Sequence, residues 1–316
     1  MKFDGLADLS GKSNKFDFQA DIAIADLHAL KFMELDSISQ FCGKMVIDIS
    51  GNQLDDIVGK ITFKNTNYIN SAGNFNFKDF EITSTLNDGV KEISINSPDI
   101  ISGKVGGKFK LTEIKKVLQN AVGSIYTHYN PYKIEPNQYV DFHFNIYNKI
   151  VEVFVPQVKI GSNTFINGNI DAGKGSFKLQ MKSPSVNAYS NQIDSLSLEI
   201  DNKNPLYNTF LEVKKADLGV YAIHDFNLIN TTIKDTLFFR TEFRGGETAK
   251  DNYELNFYHT LNKKQESIIG IKKSLIDFKG NQWYINRENA MNEYNKIVLN
   301  RTADSLKISN FKMAHQ

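Results

Sequence analysis

The sequence has little cysteine, proline or tryptophan, and the scarcity of cysteine excludes two kinds of site. Cys42 is the only cysteine among the 316 residues. No internal disulfide can therefore form, and a thiolate-based zinc site would lack its other ligands. We interpret Cys42 as a small buried apolar residue rather than a catalytic thiol.

An excess of charge of one sign is also missing. The chain carries 37 basic and 36 acidic side chains, which gives a formal net charge of +1. Nucleic-acid binding normally requires a clustered basic surface. Adjacent lysines occur only as isolated pairs, at 115–116, 214–215, 263–264 and 272–273. We therefore expect no nucleic-acid partner.

Long apolar runs are absent as well. The first residues contain none of the roughly 7–15 consecutive apolar residues of a signal peptide, and no stretch approaches the roughly 20 of a membrane-spanning helix. A strand-like pattern begins within the first residues, however, and the last one stops abruptly at Gln316. We therefore expect an internal fragment of a longer protein, in which a missing signal peptide does not indicate the compartment.

What the sequence does contain is alternation of apolar and polar residues with a period of two, which is typical of half-buried β-strands. In the first such run Phe16, Phe18, Ala20, Ile22 and Ile24 share one face. Further runs place these residues on one face: Phe75 and Phe77; Phe80 and Ile82; Ile93 and Ile95; Phe142, Phe144 and Ile146; Val151, Val153 and Val155; Phe177, Leu179 and Met181; Leu196, Leu198 and Ile200; Leu255 and Phe257. Many short strands with few helices predict an antiparallel all-β fold.

Turn residues close these runs. The predicted turns lie at 87–89 (Asn-Asp-Gly), 97–99 (Ser-Pro-Asp), 167–169 (Asn-Gly-Asn), 172–175 (Ala-Gly-Lys-Gly) and 183–185 (Ser-Pro-Ser). One segment departs from the β pattern, because its apolar residues recur at helical spacing: Leu111, Ile114, Leu118, Ala121, Val122 and Ile125. This spacing predicts one short amphipathic helix near 112–122, with Thr112 as its N-cap and Gly123 at its end.

Alternation alone leaves two architectures open. In a β-sandwich the apolar faces of two sheets bury each other, and periodicity by itself favours this arrangement. In an open, curved sheet the same faces would line a groove that an acyl chain could fill, at about 0.8 kcal/mol per buried methylene. Both arrangements require the same alternation.

Residue patterns that carry enzymatic or metal chemistry are weak throughout. The six histidines form no pair at metal-binding spacing, and no Gly-x-Ser-x-Gly nucleophile motif occurs. Residues 103–108 superficially resemble a phosphate loop, but they lack the full spacing and the Ser or Thr that follows its lysine. We expect no enzymatic activity, no bound metal and no cofactor.

Several stretches resemble the TamB-like translocation and assembly proteins of the AsmA-like superfamily, in the form found in Bacteroidetes and flavobacteria. They are SPDIISGKVGGKF (97–109), GSIY (123–126), YNKIVEVFVP (147–156), DNKNPLYNT (201–209), DTLFFRTEFRGG (235–246) and LNFYHT (255–260). The resemblance covers nearly the whole chain, as an internal slice. It implies that residues 1–316 form one continuous segment of an elongated, curved, antiparallel β-groove.

The resemblance also implies a function. Proteins of this group are anchored by an N-terminal helix, span the periplasm, and are implicated in moving phospholipid toward the outer membrane and in assembling outer-membrane proteins. The implied partners are phospholipid acyl chains and an outer-membrane barrel protein of the BamA or TamA type. This chain lacks the anchoring helix and the C-terminal domain that meets the barrel partner, which puts the bridging of two membranes by this slice alone in doubt.

The side chains that we expect to line the groove, each by apolar contact, are Phe16, Phe18, Ile22, Phe142, Phe144, Ile146, Val151, Val153, Phe177, Leu179, Leu196 and Leu198. For each of them, ordinary core packing is the competing interpretation. Two other functions stay open. A chaperone-like module would pair an open sheet edge with an unfolded strand, and a carbohydrate-binding or adhesin-type sandwich would use aromatic platforms, although Trp283 is the only tryptophan.

Overall fold

The structure is a computed structural model that describes most of the chain. The described residues are 2–31, 36–126, 129–147, 151–152, 155, 157–189, 191–287, 291, 294–300, 304–309 and 311–315. All statements below concern these residues.

Strands dominate the chain from end to end. They are β1 (Lys2–Asp8), β2 (Lys15–Asp26), β3 (Ser39–Ser50), β4 (Val58–Asn70), β5 (Gly73–Phe77), β6 (Phe80–Asn87), β7 (Val90–Asn96), β8 (Ile101–Lys108), β9 (Tyr139–Ile146), β10 (Val158–Ile160), β11 (Thr164–Asp171), β12 (Ser176–Ala188), β13 (Asn191–Asp201), β14 (Thr209–Asp217), β15 (Ala222–Ile233), β16 (Thr236–Gly245), β17 (Asp251–Leu261), β18 (Ser267–Ile271), β19 (Ser274–Phe278), β20 (Asn281–Ile285), β21 (Lys296–Asn300), β22 (Ser305–Ile308) and β23 (Met313–His315). A 3₁₀ turn (Leu111–Glu113) leads into helix α1 (Ile114–Gly123).

The chain divides into two compact units. Unit 1 comprises Met1–Leu118, Lys133–Lys174 and Met181–Tyr189, and unit 2 comprises Gln119–Tyr132, Gly175–Gln180 and Ser190–Gln316. Within each unit the sheet is antiparallel, open and curved. The predicted all-β fold class with one short helix is therefore confirmed. That residues 1–316 act as one continuous groove segment stays a prediction.

The sheet of unit 1 follows the chain almost strand by strand. β1 pairs with β2, β2 with β3 and β3 with β4. β4 then pairs with β6 through residues 59–63 and with β5 through residues 66–70. From β6 the order continues through β7, β8 and β9 to β11, and β10 pairs with the end of β12.

The sheet of unit 2 is a meander that branches at its far side. β13 to β17 pair in sequence order. β17 then pairs with β18 through residues 257–261 and with β19 through residues 252–254. One branch continues from β18 to β21 and β22, and the other from β19 to β20 and β23.

The helix forms where the sequence predicts it, but two of its details differ. Thr112 is not an N-cap, because it lies within the 3₁₀ turn and its hydroxyl donates to the Asp55 carboxylate at 2.9 Å. The most buried helix positions are Val117 and Ala121, whereas Leu118 and Val122 of the predicted stripe are 45% and 52% exposed. The buried stripe is therefore rotated by one residue.

Four further sequence predictions are wrong. The supposed turns at 167–169 and 183–185 lie inside strands β11 and β12, where Gly168 pairs with Phe142. Val151 is helical rather than extended, and the Val155 N–H donates to its carbonyl oxygen at 2.7 Å. Ile24 is 70% exposed, because the register of β2 against β3 shifts between Ile22 and Ala25 and moves Ile24 off the apolar face.

Fully buried apolar packing is local rather than continuous. In unit 1, Tyr68 and Phe75 form a small core with Leu27, Phe41 and Phe77 packed against them. The Tyr68 hydroxyl shares a hydrogen bond with Ser39 at 2.8 Å inside this cluster. Cys42, expected to be buried, is half-buried. Most of the remaining apolar strand residues of this unit are only partly covered.

Candidate functional site: the apolar sheet faces

The strand register of unit 1 aligns apolar side chains into one continuous face. Cross-strand partners in an antiparallel sheet project from the same side. A single row of partners therefore runs through β1, β2, β3, β4, β6, β7, β8, β9 and β11, and it consists of Gly5, Phe18, Ile47, Ile61, Ile82, Ile95, Gly103, Phe144 and Ile166. We call this side of the sheet the unit 1 apolar face.

The side chains of this face are covered only in part. Every apolar side chain in the row from Phe18 to Ile166 is half-buried. Aromatic side chains contact one another beside this row. The rings of Phe63 and Phe80 stack at a centroid distance of 4.6 Å, and the ring centroids of Phe3 and Phe18 are 4.9 Å apart. A second sheet packed on this face would bury these residues, so the face is an accessible apolar surface.

The opposite side of the same sheet is polar. The adjacent row contains Asp17, Asp48, Lys60, Thr83, Ser94, Lys104, His143 and Asn167. Exposed ion pairs join its strands, including Lys60–Glu81 at 3.5 Å and Lys104–Glu92 at 3.0 Å. Because solvent weakens such pairs, we assign them a role in solubility rather than in stability.

One charged side chain lies on the unit 1 apolar face. Lys91 is only 1% exposed, and its Nζ donates to the Ile57 carbonyl oxygen at 2.9 Å. Burial lowers the pKa of Lys91, while the nearby Asp55 and Asp56 carboxylates oppose that shift. The Lys91 ammonium thus links β7 to the 51–57 loop by a hydrogen bond. Because it is buried, it is not part of the accessible surface of the face.

Unit 2 has its own apolar face, built in the same way. One row of cross-strand partners contains Leu198, Leu211, Leu228, Thr241 and Leu255. Beside it Phe226, Phe243 and Tyr253 form an aromatic series, with Phe243 stacked on Tyr253 at 4.5 Å. Apart from Thr241, the side chains of this row are half-buried, as on the unit 1 face.

A polar cluster lies at one end of the unit 2 face. The Tyr221 hydroxyl donates to Asp251 at 2.9 Å and shares a hydrogen bond of 2.7 Å with Tyr253. Asp251, which is 8% exposed, also accepts the Lys279 N–H. Burial, followed by these two hydrogen bonds, raises the pKa of Tyr221 far above its ordinary value.

The predicted lining residues separate into four groups. Phe16, Phe18, Ile22, Phe142, Phe144 and Ile146 lie on the unit 1 apolar face. Leu196 and Leu198 lie on that of unit 2. Phe177 and Leu179 share this second face, because the intervening Lys178 and Gln180 contact Asp201 and Glu199 on the other side. Val151 is in a helical segment, and Val153 lies outside the described residues.

Burial distinguishes among the residues that share these faces. Ile22, Ile146 and Phe177 are 9%, 6% and 4% exposed, which leaves little surface for a ligand. Phe16, Phe18, Phe142, Phe144, Leu179, Leu196 and Leu198 are half-buried. Contact of any of them with lipid stays a prediction.

The sequence analysis missed several residues of both faces. Met45, Ile47 and Ile49 in β3 alternate with a period of two, as do Ile61 and Phe63 in β4, so this signal was present. In unit 2 it missed Leu211 and Val213, which alternate in β14.

The described residues contain neither a candidate metal site nor a candidate membrane-spanning helix, and the chain matches no known protein. Within the described residues, no cluster of three or more His, Cys, Asp or Glu side chains could hold a metal ion. No described helix is both long enough and apolar enough to cross a membrane. No family model, curated protein or solved structure matches the chain.

Proposed function

We propose that the apolar faces bind the acyl chains of phospholipids and that the chain is a non-enzymatic part of a lipid-transport or outer-membrane assembly protein. The single observation that carries this proposal is the cross-strand row from Phe18 to Ile166, in which every apolar side chain is half-buried. A linear acyl chain can lie along such a row and bury the exposed carbon atoms.

The chemistry of the row favours an apolar ligand over a polar one. Between Phe18 and Ile166 it offers only aliphatic and aromatic side chains and glycine backbone. Lys91, the charged residue on this face, is fully buried and bonded to a backbone carbonyl. Without accessible donors or acceptors in the row, selectivity would rest on apolar contact and not on a headgroup.

The cellular setting is a proposal that rests on the TamB-like stretches. They support a location in the periplasm, in a protein tethered to the inner membrane, with phospholipid moving between the inner and outer membranes. They also support a barrel partner of the BamA or TamA type that meets a part of the protein beyond this chain.

Native mass spectrometry of the chain, exported to a bacterial periplasm, tests the proposal. We expect co-purified masses of phospholipid, and we expect Phe144→Glu to remove them while the circular dichroism of the sheet is unchanged. Ile47→Glu, in a different strand of the same row, is a second variant in case Phe144→Glu does not fold. Asn145→Glu, on the polar side of β9, is the control and should keep the lipid. Lipid-free protein, or equal occupancy in all variants, would refute the proposal.

A second candidate function is favoured by the edge strand β1. All seven residues of β1 are exposed, and Phe3 and Leu6 are 59% and 70% exposed. Among the described strands only β2 pairs with β1. An unpaired edge offers backbone donors and acceptors to an extended peptide, as in strand addition.

Hydrogen exchange distinguishes this candidate from lipid binding. If β1 captures an unfolded outer-membrane strand, an alternating apolar-polar peptide should slow exchange of the β1 amides and leave β8 and β9 unchanged. If the peptide leaves exchange in β1 unchanged at saturating concentration, strand addition at this edge is excluded.

A further inference from the structure

The polar side of the unit 2 sheet contains a groove of about 750 Å³. Strands β15, β16, β17, β19 and β20 form it, on the side opposite the unit 2 apolar face. Register places Ile229 beside Arg240 and Thr231 beside Phe238 on its floor. Its volume lies within the roughly 300–1,000 Å³ of small-molecule sites. We call it the polar-side groove.

The floor of the polar-side groove is apolar, unlike the rest of that side. Phe238 is half-buried, Ile229 is 36% exposed and Ile233 is 58% exposed. In the neighbouring cross-strand row on this side the partners are Asn227, Glu242 and Glu254. Exposed apolar side chains grouped among charged ones mark a place where an apolar part of a ligand can be buried.

Two lysines lie at the rim of this floor on a hydrogen-bonded loop. Lys272 and Lys273 connect β18 to β19, and three hydrogen bonds fix this connection to Asn256 of β17. The Lys272 N–H donates to the Asn256 carbonyl at 2.8 Å, the Asn256 amide donates to the Lys273 carbonyl at 2.7 Å, and the Asn256 N–H donates to the Ser274 hydroxyl at 2.9 Å. The Lys272 Nζ lies 5.0 Å from the centroid of the Phe238 ring. This cation therefore lies above the apolar floor.

The charges of the groove are not balanced. Arg240 is ion-paired with Glu242, and Glu254 also lines the groove. Among the described residues no carboxylate lies within ion-pair distance of Lys272 or Lys273, although both side chains line the groove. One carboxylate against two unpaired ammonium groups leaves a net positive rim, which attracts an anion.

We propose that the polar-side groove binds a single-chain anionic amphiphile, of which a long-chain fatty acid is the type. Its carboxylate would contact Lys272 and Lys273, and its chain would cover Ile229, Ile233 and Phe238. This site goes beyond the proposed function, because it lies on the other side of the unit 2 sheet and recognises the head of its ligand through charge. Phe239 and Phe257, which register places on the side of the unit 2 apolar face, also line the groove, but the proposed ligand contacts do not include them.

Equilibrium titration of the full chain with a dansyl-labelled undecanoic acid tests this site. We expect saturable binding that weakens about ten-fold in the double variant Lys272→Gln/Lys273→Gln, since both charged contacts are lost. The matched control Lys263→Gln/Lys264→Gln removes an equal charge from a lysine pair that does not line the groove. Its affinity should equal that of the unmodified chain.

Two further measurements test the charged and the apolar contacts of this site. The methyl ester of the probe should bind the unmodified chain more weakly and should not respond to the Lys272/Lys273 change. Ile233→Glu should weaken binding of the acid, whereas Val220→Glu, at a 96% exposed position that does not line the groove, should not. Equal affinity of the acid in the Lys272/Lys273 double variant, or equal weakening by Ile233→Glu and Val220→Glu, would overturn this assignment.

Discussion

Gly103 and Phe144 show how one pair of residues shapes the unit 1 apolar face. They are cross-strand partners in β8 and β9, and Gly103 has a φ of +153°. A Cβ at position 103 would collide with the His143 carbonyl oxygen and lie 2.7 Å from Cδ1 of Phe144. The missing side chain therefore lets the Phe144 ring lie directly on the neighbouring backbone.

Substitution of this glycine should be costly. We expect Gly103→Ala to lower the free energy of unfolding by roughly 1–3 kcal/mol, because both the backbone conformation and the contact with Phe144 are strained. Gly106→Ala in the same strand is the control, since an added Cβ meets its nearest atoms only at 3.9 Å. It should change stability by less than about 1 kcal/mol. Urea unfolding measures both variants, and equal effects would contradict this account.

The Tyr221 cluster predicts a pH dependence. Because the folded state raises the pKa of Tyr221 above its ordinary value of 10.0, the unfolded chain releases this proton first. The contribution to stability is therefore complete below pH 10 and decreases as the pH rises above it. Tyr221→Phe should remove this decrease in stability at alkaline pH.

The same substitution should also destabilise the fold at neutral pH. It takes a hydrogen bond from the buried Asp251 carboxylate, at a cost of about 1.5–3 kcal/mol. Tyr189→Phe is the control, because Tyr189 is 81% exposed. Its free energy of unfolding should differ from that of the unmodified chain by less than about 0.5 kcal/mol. Urea unfolding between about pH 8 and about pH 11 measures both effects. A Tyr221→Phe variant with the unmodified alkaline slope would show that this hydroxyl is not the titrating group.

At the scale of elements, one carboxylate attaches the start of the helical segment to the loop between β3 and β4. Asp55 accepts the Thr112 N–H at 3.2 Å and the Thr112 hydroxyl at 2.9 Å. We expect Asp55→Ala to destabilise the 111–118 segment by about 1 kcal/mol, as loss of a helix cap does. Hydrogen exchange should accelerate there and not in β2 or β3. Asp17→Ala, an exposed carboxylate on the polar side of β2, should leave the exchange of this segment unchanged.

Alternation predicted strands β2, β5, β6, β7, β9, β12, β13 and β17, because a half-buried pleated sheet requires it. The failures have local causes. Asn167-Gly168-Asn169 has turn composition, yet strand pairing with β9 holds it extended and places Gly168 against Phe142. Ile24 continues the alternation of β2, but a register shift that the sequence does not indicate moves it into solvent.

At the scale of the whole molecule, the sequence predicted that the candidate site is an apolar sheet face, but not how many strands the face spans or which of its residues are accessible. Alternation assigned Phe18 and Phe144 to an apolar face, and register adds that they belong to one row across nine strands of unit 1. The burial of a side chain depends on which segments cover its strand, and the alternation of apolar and polar residues does not predict those segments. For that reason Ile22 and Ile146, although on the same face, are closed to a ligand.

The charge of the molecule agrees with an apolar mode of binding. With 37 basic and 36 acidic side chains there is no general attraction for anionic surfaces. Long-chain ligands would therefore be held by the accessible apolar faces, and charge would matter only locally, as at Lys272 and Lys273.

The central claim is that lipid lies on one side of the unit 1 sheet, and photo-crosslinking tests it most directly. A benzophenone amino acid is placed in turn at two neighbouring pairs, Ile47 and Asp48 in β3 and Phe144 and Asn145 in β9, in chain exported to a bacterial periplasm. Our account predicts phospholipid adducts at Ile47 and Phe144 and none at Asp48 and Asn145. Adducts at all four positions, or at none of them, would contradict it.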